Sequence, residues 1–196
     1  MFKLKFGAIG FFSLGLTLIS SPTQALPGQT TDEAVAWINA NPTLRPAIGN
    51  GLVVKKSNTP SQRFNFQASL LPPGRIDVPR NRTTIRSERY AFFDMINGVT
   101  LERLVTSLRI IYGVDIYQDY QQSQIIFNYP TQEMINRSRR QNLPLLEARK
   151  GQLRLGNRYA YWLEIVETEN GIAFDGQMTV FLKEDLEKFA AELQSR

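Results

Sequence analysis

The stretch Arg158 to Leu182, RYAYWLEIVETENGIAFDGQMTVFL, constrains the fold of this chain more than any other. Two long runs of β-type residues flank Glu169-Asn170-Gly171. Asn-Gly between apolar runs is a strong hairpin signal, because Gly takes the positive φ that tight turns need. In the second run Ile172, Phe174, Met178, Val180 and Leu182 alternate with Ala173, Asp175, Gln177 and Thr179, the period of a strand with one buried face. The register is open between two choices. A two-residue Asn170-Gly171 turn sets Leu163 opposite Met178 and Tyr161 opposite Val180. A three-residue loop with Gly171 as the bulge residue sets Trp162 opposite Met178 and Val166 opposite Phe174. A one-residue slip turns every side chain to the other face. Tyr159, Tyr161, Leu163 and Ile165 are the more apolar set, which favours the two-residue turn. Trp162 and Val166 then need cover from a helix or loop on the far face.

The first 25 residues are set apart from the fold. Lys3 and Lys5 precede an apolar run from Phe6 to Ile19, and Thr23-Gln24-Ala25 suits cleavage. This is the layout of a secretory signal peptide, and its apolar core is short of the roughly 20 residues of a spanning helix. The expected mature protein is exported, to a periplasm, a thylakoid lumen or the extracellular space. Removing 25 residues from 196 leaves 171, one domain's worth. With no cysteine in the chain, disulfides contribute nothing and the core supplies the stability.

Along the rest of the chain, Thr30 and Glu33 have capping-box spacing before a helix to Asn41, with Ala34, Trp37 and Ile38 on one stripe. Leu52 to Lys56 and Gln62 to Leu70 read as strands joined by Asn58-Thr59-Pro60-Ser61. Leu71 to Asn81 reads as a loop and Thr83 to Phe93 as a strand. Leu101 to Tyr112 is the clearest helix, with Leu101, Leu104, Val105, Leu108 and Ile111 on one face and Gly113 as its stop. Val114 to Tyr120 and Gln124 to Tyr129 read as a second hairpin. Helices follow over Thr131 to Asn142 and from Pro144 to Lys150, then a short strand at Gln152 to Leu155. After the central hairpin, a helix spans Lys183 to Leu193. The expectation is a single α+β domain over 26–196, a mostly antiparallel sheet of about six to eight strands with helices packed on it.

Chemistry is constrained by what is missing. The chain has no histidine and no cysteine, which removes histidine-based triads, thiol nucleophiles and most zinc sites. No phosphate-binding glycine loop is present. No cofactor is expected. Glu164, inside an apolar strand, and Asp94, after Phe92-Phe93, are the carboxylates best placed for acid chemistry, but hydrolysis of glycosides needs two at a set separation. Asp115 and Asp119 lack the ligand count of a calcium loop.

Charge is more informative. Without Lys3 and Lys5 the 23 basic residues fall to 21 against 18 acidic, a net charge of +3. Between Arg137 and Arg158 stand Arg137, Arg139, Arg140, Arg149, Lys150, Arg154 and Arg158, with Glu147 as the lone acid. A second cluster holds Arg75, Arg80, Arg82, Arg86 and Arg89. Nucleic acid does not suit an exported chain. Anionic lipid, acidic polysaccharide or an acidic envelope protein does. Arg137, Arg139, Arg140, Arg149 and Lys150 are the candidate contacts, a solvated helix face being the bland alternative.

At Arg89-Tyr90-Ala91-Phe92-Phe93-Asp94-Met95-Ile96-Asn97-Gly98 and at Arg158-Tyr159-Ala160-Tyr161-Trp162-Leu163-Glu164 the chain resembles small uncharacterised exported proteins of cyanobacteria. The resemblance implies a cell-envelope or thylakoid-lumen setting and carries no activity with it. Three functions follow as expectations. The first is a non-enzymatic binding or accessory protein at a membrane or envelope surface. The second is a carrier of an apolar lipid or pigment, lined by Trp162, Tyr159, Tyr161 and Phe174. The third is a carboxylate hydrolase.

Overall fold

The computed structural model describes residues 26–195 apart from 48, 50 and 75–82. The signal-peptide expectation, Arg75, Arg80 and Arg82 of the second basic cluster, and most of the loop expected over Leu71 to Asn81 lie outside these residues. In chain order the elements are α1 (Thr31–Ala40), β1 (Val53–Thr59), β2 (Gln62–Ser69), β3 (Ser87–Asp94), α2 (Leu101–Tyr112) and α3 (Val114–Gln121). There follow β4 (Gln124–Tyr129), α4 (Gln132–Gln141), α5 (Pro144–Ala148), β5 (Arg149–Leu155), β6 (Ala160–Glu167) and β7 (Ala173–Phe181). A 3-10 turn at Lys183–Asp185 leads into α6 (Leu186–Gln194). The chain is an α+β domain, with one seven-stranded sheet in the order β1-β2-β3-β7-β6-β5-β4 and every neighbouring pair antiparallel.

Both faces of the sheet are used. On one, Ala34 and Ile38 of α1, Leu104, Leu108 and Ile111 of α2 and Ile116 of α3 bury Phe66, Tyr90, Tyr161, Leu163, Met178 and Val180. Thr30 closes the expected capping box on α1, and Thr100 caps α2. On the other face Met134 of α4 and Phe189 and Leu193 of α6 cover Tyr129, Leu153, Trp162 and Phe181. The far-face cover that Trp162 requires is α6, whose Phe189 meets the indole edge-on at 4.8 Å.

Two expectations are corrected. Val114 to Tyr120 is helix, not strand, so no hairpin joins it to β4. Gly113 ends α2 and the chain turns helical again at once. Ile116, Asp119 and Tyr120, at spacings of three and four, are its buried positions, while Val114 is exposed, so the segment follows the helical period. β4 instead crosses to the far edge of the sheet and pairs with β5.

The central hairpin combines both registers. Thr168 N–H donates to Ile172 O and Gly171 N–H to Thr168 O, so the loop is the three residues Glu169-Asn170-Gly171, with Gly171 at φ 75°. Yet Leu163 faces Met178 and Tyr161 faces Val180, the register expected of a two-residue turn. A bulge reconciles them: Val166 pairs with Asp175 and Glu167 with Ala173, leaving Phe174 as the extra residue. The slip is absorbed within one pair, and the more apolar face of β6 stays in the main core.

Candidate functional site

The residues singled out for their charge differ in exposure and in partners. Arg140 is exposed on α4. Arg139 pairs with Glu147 of α5 at 2.8 Å, and Lys150 with Glu167 at 2.5 Å. Arg137 and Arg149 are half-buried, and the Nε of each is buried without a hydrogen-bond partner. Arg137 lies in a shallow groove with Phe127, Thr131, Met134 and Gln194. Arg149, first residue of β5, lines a cavity.

That cavity has a volume of about 280 Å³ and is lined by Tyr129, Met134, Leu146, Arg149, Glu164 and Leu193. Strand parity explains the polar members. Gly151 pairs with Glu164 and Arg149 with Val166, so Arg149 and Glu164 stand on the same helix-covered face, diagonal to each other on neighbouring strands. Tyr129, at the end of β4, pairs with Gly151 and projects to that face too. α4, α5 and α6 supply the apolar wall as Met134, Leu146 and Leu193.

A hydrogen-bond chain orders the floor. Trp162 Nε1 donates to the Tyr129 hydroxyl at 2.7 Å, and that hydroxyl donates to Glu164 Oε2 at 2.9 Å. Gln177 Nε2 approaches Glu164 Oε1 at 3.4 Å. Glu164 is 7% exposed. A buried carboxylate is held here by two donors, which offsets part of its desolvation cost. Gly151 makes the arrangement possible: a Cβ there would collide with Leu163 O and the Tyr129 hydroxyl. Only a residue without a side chain lets the Tyr129 ring lie against β5 and β6.

Asp94 and Asp119 are committed to structure, and Asp115 is exposed on α3. Asp94 accepts from the backbone of Ile96 and Asn97 and from Gln62, and pairs with Arg103 at 2.8 Å. The Asn97 amide first, then the Arg103, Asn97 and Gln62 side chains, hold its carboxyl well below the usual carboxylate range, against the effect of burial. It is therefore ionised and cannot serve as a general acid near neutrality. Asp119 accepts from the amides of Asn157, Arg158 and Tyr159 and from the Tyr161 hydroxyl. No group of three or more acidic residues suited to a metal occurs among the described residues. The aromatic residues expected to line one carrier cavity are divided: Tyr161 is in the main core and Trp162 on the opposite face of the same strand.

Glu164 and Arg149 were visible in the sequence, the first as a carboxylate in an apolar strand and the second as part of a basic run. Tyr129, Met134, Leu146 and Leu193 share no sequence signal, since their meeting depends on β4 landing beside β5. No helix among the described residues is long and apolar enough to cross a membrane. No protein-family model, curated protein or solved structure matches the chain.

Proposed function

We propose that the protein is a non-enzymatic binding protein that holds a small, mainly apolar molecule in the cavity beneath α4, α5 and α6. The observation that carries this reading is the wall of Met134, Leu146 and Leu193 facing three convergent polar groups, the Tyr129 hydroxyl, Glu164 and Arg149. Apolar walls with a few fixed polar groups are the usual make-up of ligand sites. The volume, about 280 Å³, falls just below the roughly 300–1,000 Å³ of sites for drug-sized ligands, so the ligand is small. The absence of histidine and cysteine and the structural use of Asp94 and Asp119 support binding over catalysis. The layout of the first 25 residues supports an exported setting, in a periplasm, thylakoid lumen or outside the cell.

Trp162 is a built-in reporter, because its indole bonds to Tyr129 on the cavity floor. The chain has two tryptophans, so Trp37→Phe isolates its emission. Titration of that variant with 1-hexanol is expected to give a saturable spectral change. Leu146→Trp in a Trp37→Phe, Trp162→Phe background, followed by calorimetry, tests filling of the cavity and is expected to abolish binding. Absence of any saturable signal with the open cavity sinks the reading.

A second reading, docking on an anionic envelope surface, draws on a different observation. Met95, Ile96, Leu145 and Ile172 are about half exposed or more. Ile172 lies beside Gly98, and Leu145 and Gly171 line one groove, which places these turns at the same end of the sheet. Arg140 stands exposed on α4, five residues before Leu145 in the chain. Anionic lipid, acidic polysaccharide or an acidic envelope protein would suit such a surface. Sedimentation with neutral and anionic vesicles at low and high salt tests the lipid version. Equal pelleting of wild type and an Ile96→Ser, Arg140→Glu variant removes it.

A further inference from the structure

Arg149 and Glu164 line one cavity from neighbouring strands, yet they do not pair with each other. Diagonal neighbours across two strands stand roughly 7–8 Å apart at the backbone, within reach of an arginine. The cation has turned its Nε into a buried position without finding an acceptor. The carboxylate keeps acceptor capacity beyond the Tyr129 bond and the long approach of Gln177, because an ionised carboxylate offers about four lone-pair sites. Two opposite charges facing one largely apolar space without pairing are costly unless something between them answers both. A fatty acid answers only the arginine and places its own charge near Glu164. An amine answers only the glutamate.

Resting on the ligand-binding reading above, we propose that the cavity takes a small apolar α-amino acid, its carboxylate on Arg149, its ammonium on Glu164 and its side chain against Met134, Leu146 and Leu193. Both charges of such a ligand sit on one carbon, so a single head group meets both protein groups with charge-assisted hydrogen bonds. The guanidinium fork suits a carboxylate, and Glu164, held by Tyr129, is oriented before the ligand arrives. No covalent step is involved.

The experiment is calorimetric titration of the full chain with four compounds sharing one branched tail: L-leucine, 4-methylpentanoate, 3-methylbutylamine and 3-methylbutan-1-ol. L-leucine is expected to bind at least tenfold more tightly than the acid, the amine or the alcohol. Arg149→Met is expected to bring L-leucine down to the affinity of the amine, and Glu164→Gln down to that of the acid. Circular dichroism and melting of each variant check the fold, and Arg149→Lys, which keeps the charge, is expected to recover part of the affinity. If the acid or the alcohol binds as tightly as L-leucine, the amino-acid inference is overturned while the cavity remains a ligand site. If none of the four binds and 1-hexanol also leaves Trp162 unchanged, the binding reading itself fails. Unchanged L-leucine affinity in folded Arg149→Met and Glu164→Gln overturns the assignment of the head group to these residues.

Discussion

Asp119 accepts the hydroxyl proton of Tyr161 at 2.6 Å, and by this bond α3 is fastened to β6. The same carboxylate caps the turn from β5 into β6, taking the amides of Asn157, Arg158 and Tyr159. Asp119→Ala removes one acceptor from four donors. Each buried donor left without a partner costs about 1–3 kcal/mol, and some of these amides reach water, so a loss of roughly 3 kcal/mol is expected. Asp119→Asn, which keeps one carbonyl oxygen, should cost less. Urea unfolding of both variants measures the difference, and equal losses would refute the capping account.

Glu88 carries a pH dependence. It lies wholly inside the main core, where burial raises its pKa to about 8 and the neighbouring Tyr112 hydroxyl only partly opposes this. The sign follows from linkage. Between about 4.5 and about 8 the folded protein keeps the Glu88 proton that the unfolded chain has released. Stability therefore falls as pH rises through that window and levels off above it, by an amount on the order of 5 kcal/mol. Glu88→Gln is expected to flatten the curve and to stabilise the protein at pH 8. Melting temperatures of both proteins at pH 5, 6.5 and 8 decide the point. Parallel curves would place the dependence elsewhere.

Gly151 is expected to tolerate no side chain. In Gly151→Ala the new methyl meets Leu163 O and the Tyr129 hydroxyl. The backbone of β6 cannot yield, so the Tyr129 ring moves and its bonds to Glu164 and Trp162 weaken. Such overpacking costs about 1–3 kcal/mol. In the Trp37→Phe background, a shift in Trp162 emission together with lost stability is the expected result; unaltered emission would mean that Tyr129 holds its place.

At the tip of the central hairpin the constraint differs. Gly171 has φ 75° and open space around its Cβ position. Gly171→Val therefore meets backbone strain and no collision, and should cost roughly 1–2 kcal/mol. Gly171→Asn, which tolerates that region, should cost less than half as much. Chemical denaturation of the pair separates strain from crowding.

These sites differ in how far they were legible beforehand. The stripe Leu104, Val105, Leu108 and Ile111 and the alternation Phe64, Phe66, Ala68 are local patterns, and the helix and strand they imply are present. Val114 to Tyr120 is ambiguous in sequence because a short apolar run obeys either period until a partner is known. The turn loop and the strand register of the hairpin pointed opposite ways, and the bulge at Phe174 could be inferred from neither alone. Arg149 read as a surface charge because long cations usually reach water. Its strand parity, shared with Gly151 and Leu153, turns it to the helix-covered face. The cavity required the crossing of β4 to the far edge, a long-range event with no local mark.

The position of β7 bears on when this protein can become a protein at all. β7 lies between β3 and β6, so the sheet is two separate ribbons until its last strand arrives. Its contacts reach back from Phe181 to Ser87 on one side and only to Ala160 on the other. A chain stopped short of Ala173 leaves β3 and β6 each with an open edge, and such edges invite pairing with other chains. Closing the longer connection is slow, because the loop must be ordered before the strands reward it. The topology thus delays closure of the sheet until β7 is in place. Until then the two ribbons, β1-β2-β3 and β6-β5-β4, share no strand and have nothing to hold them in one sheet.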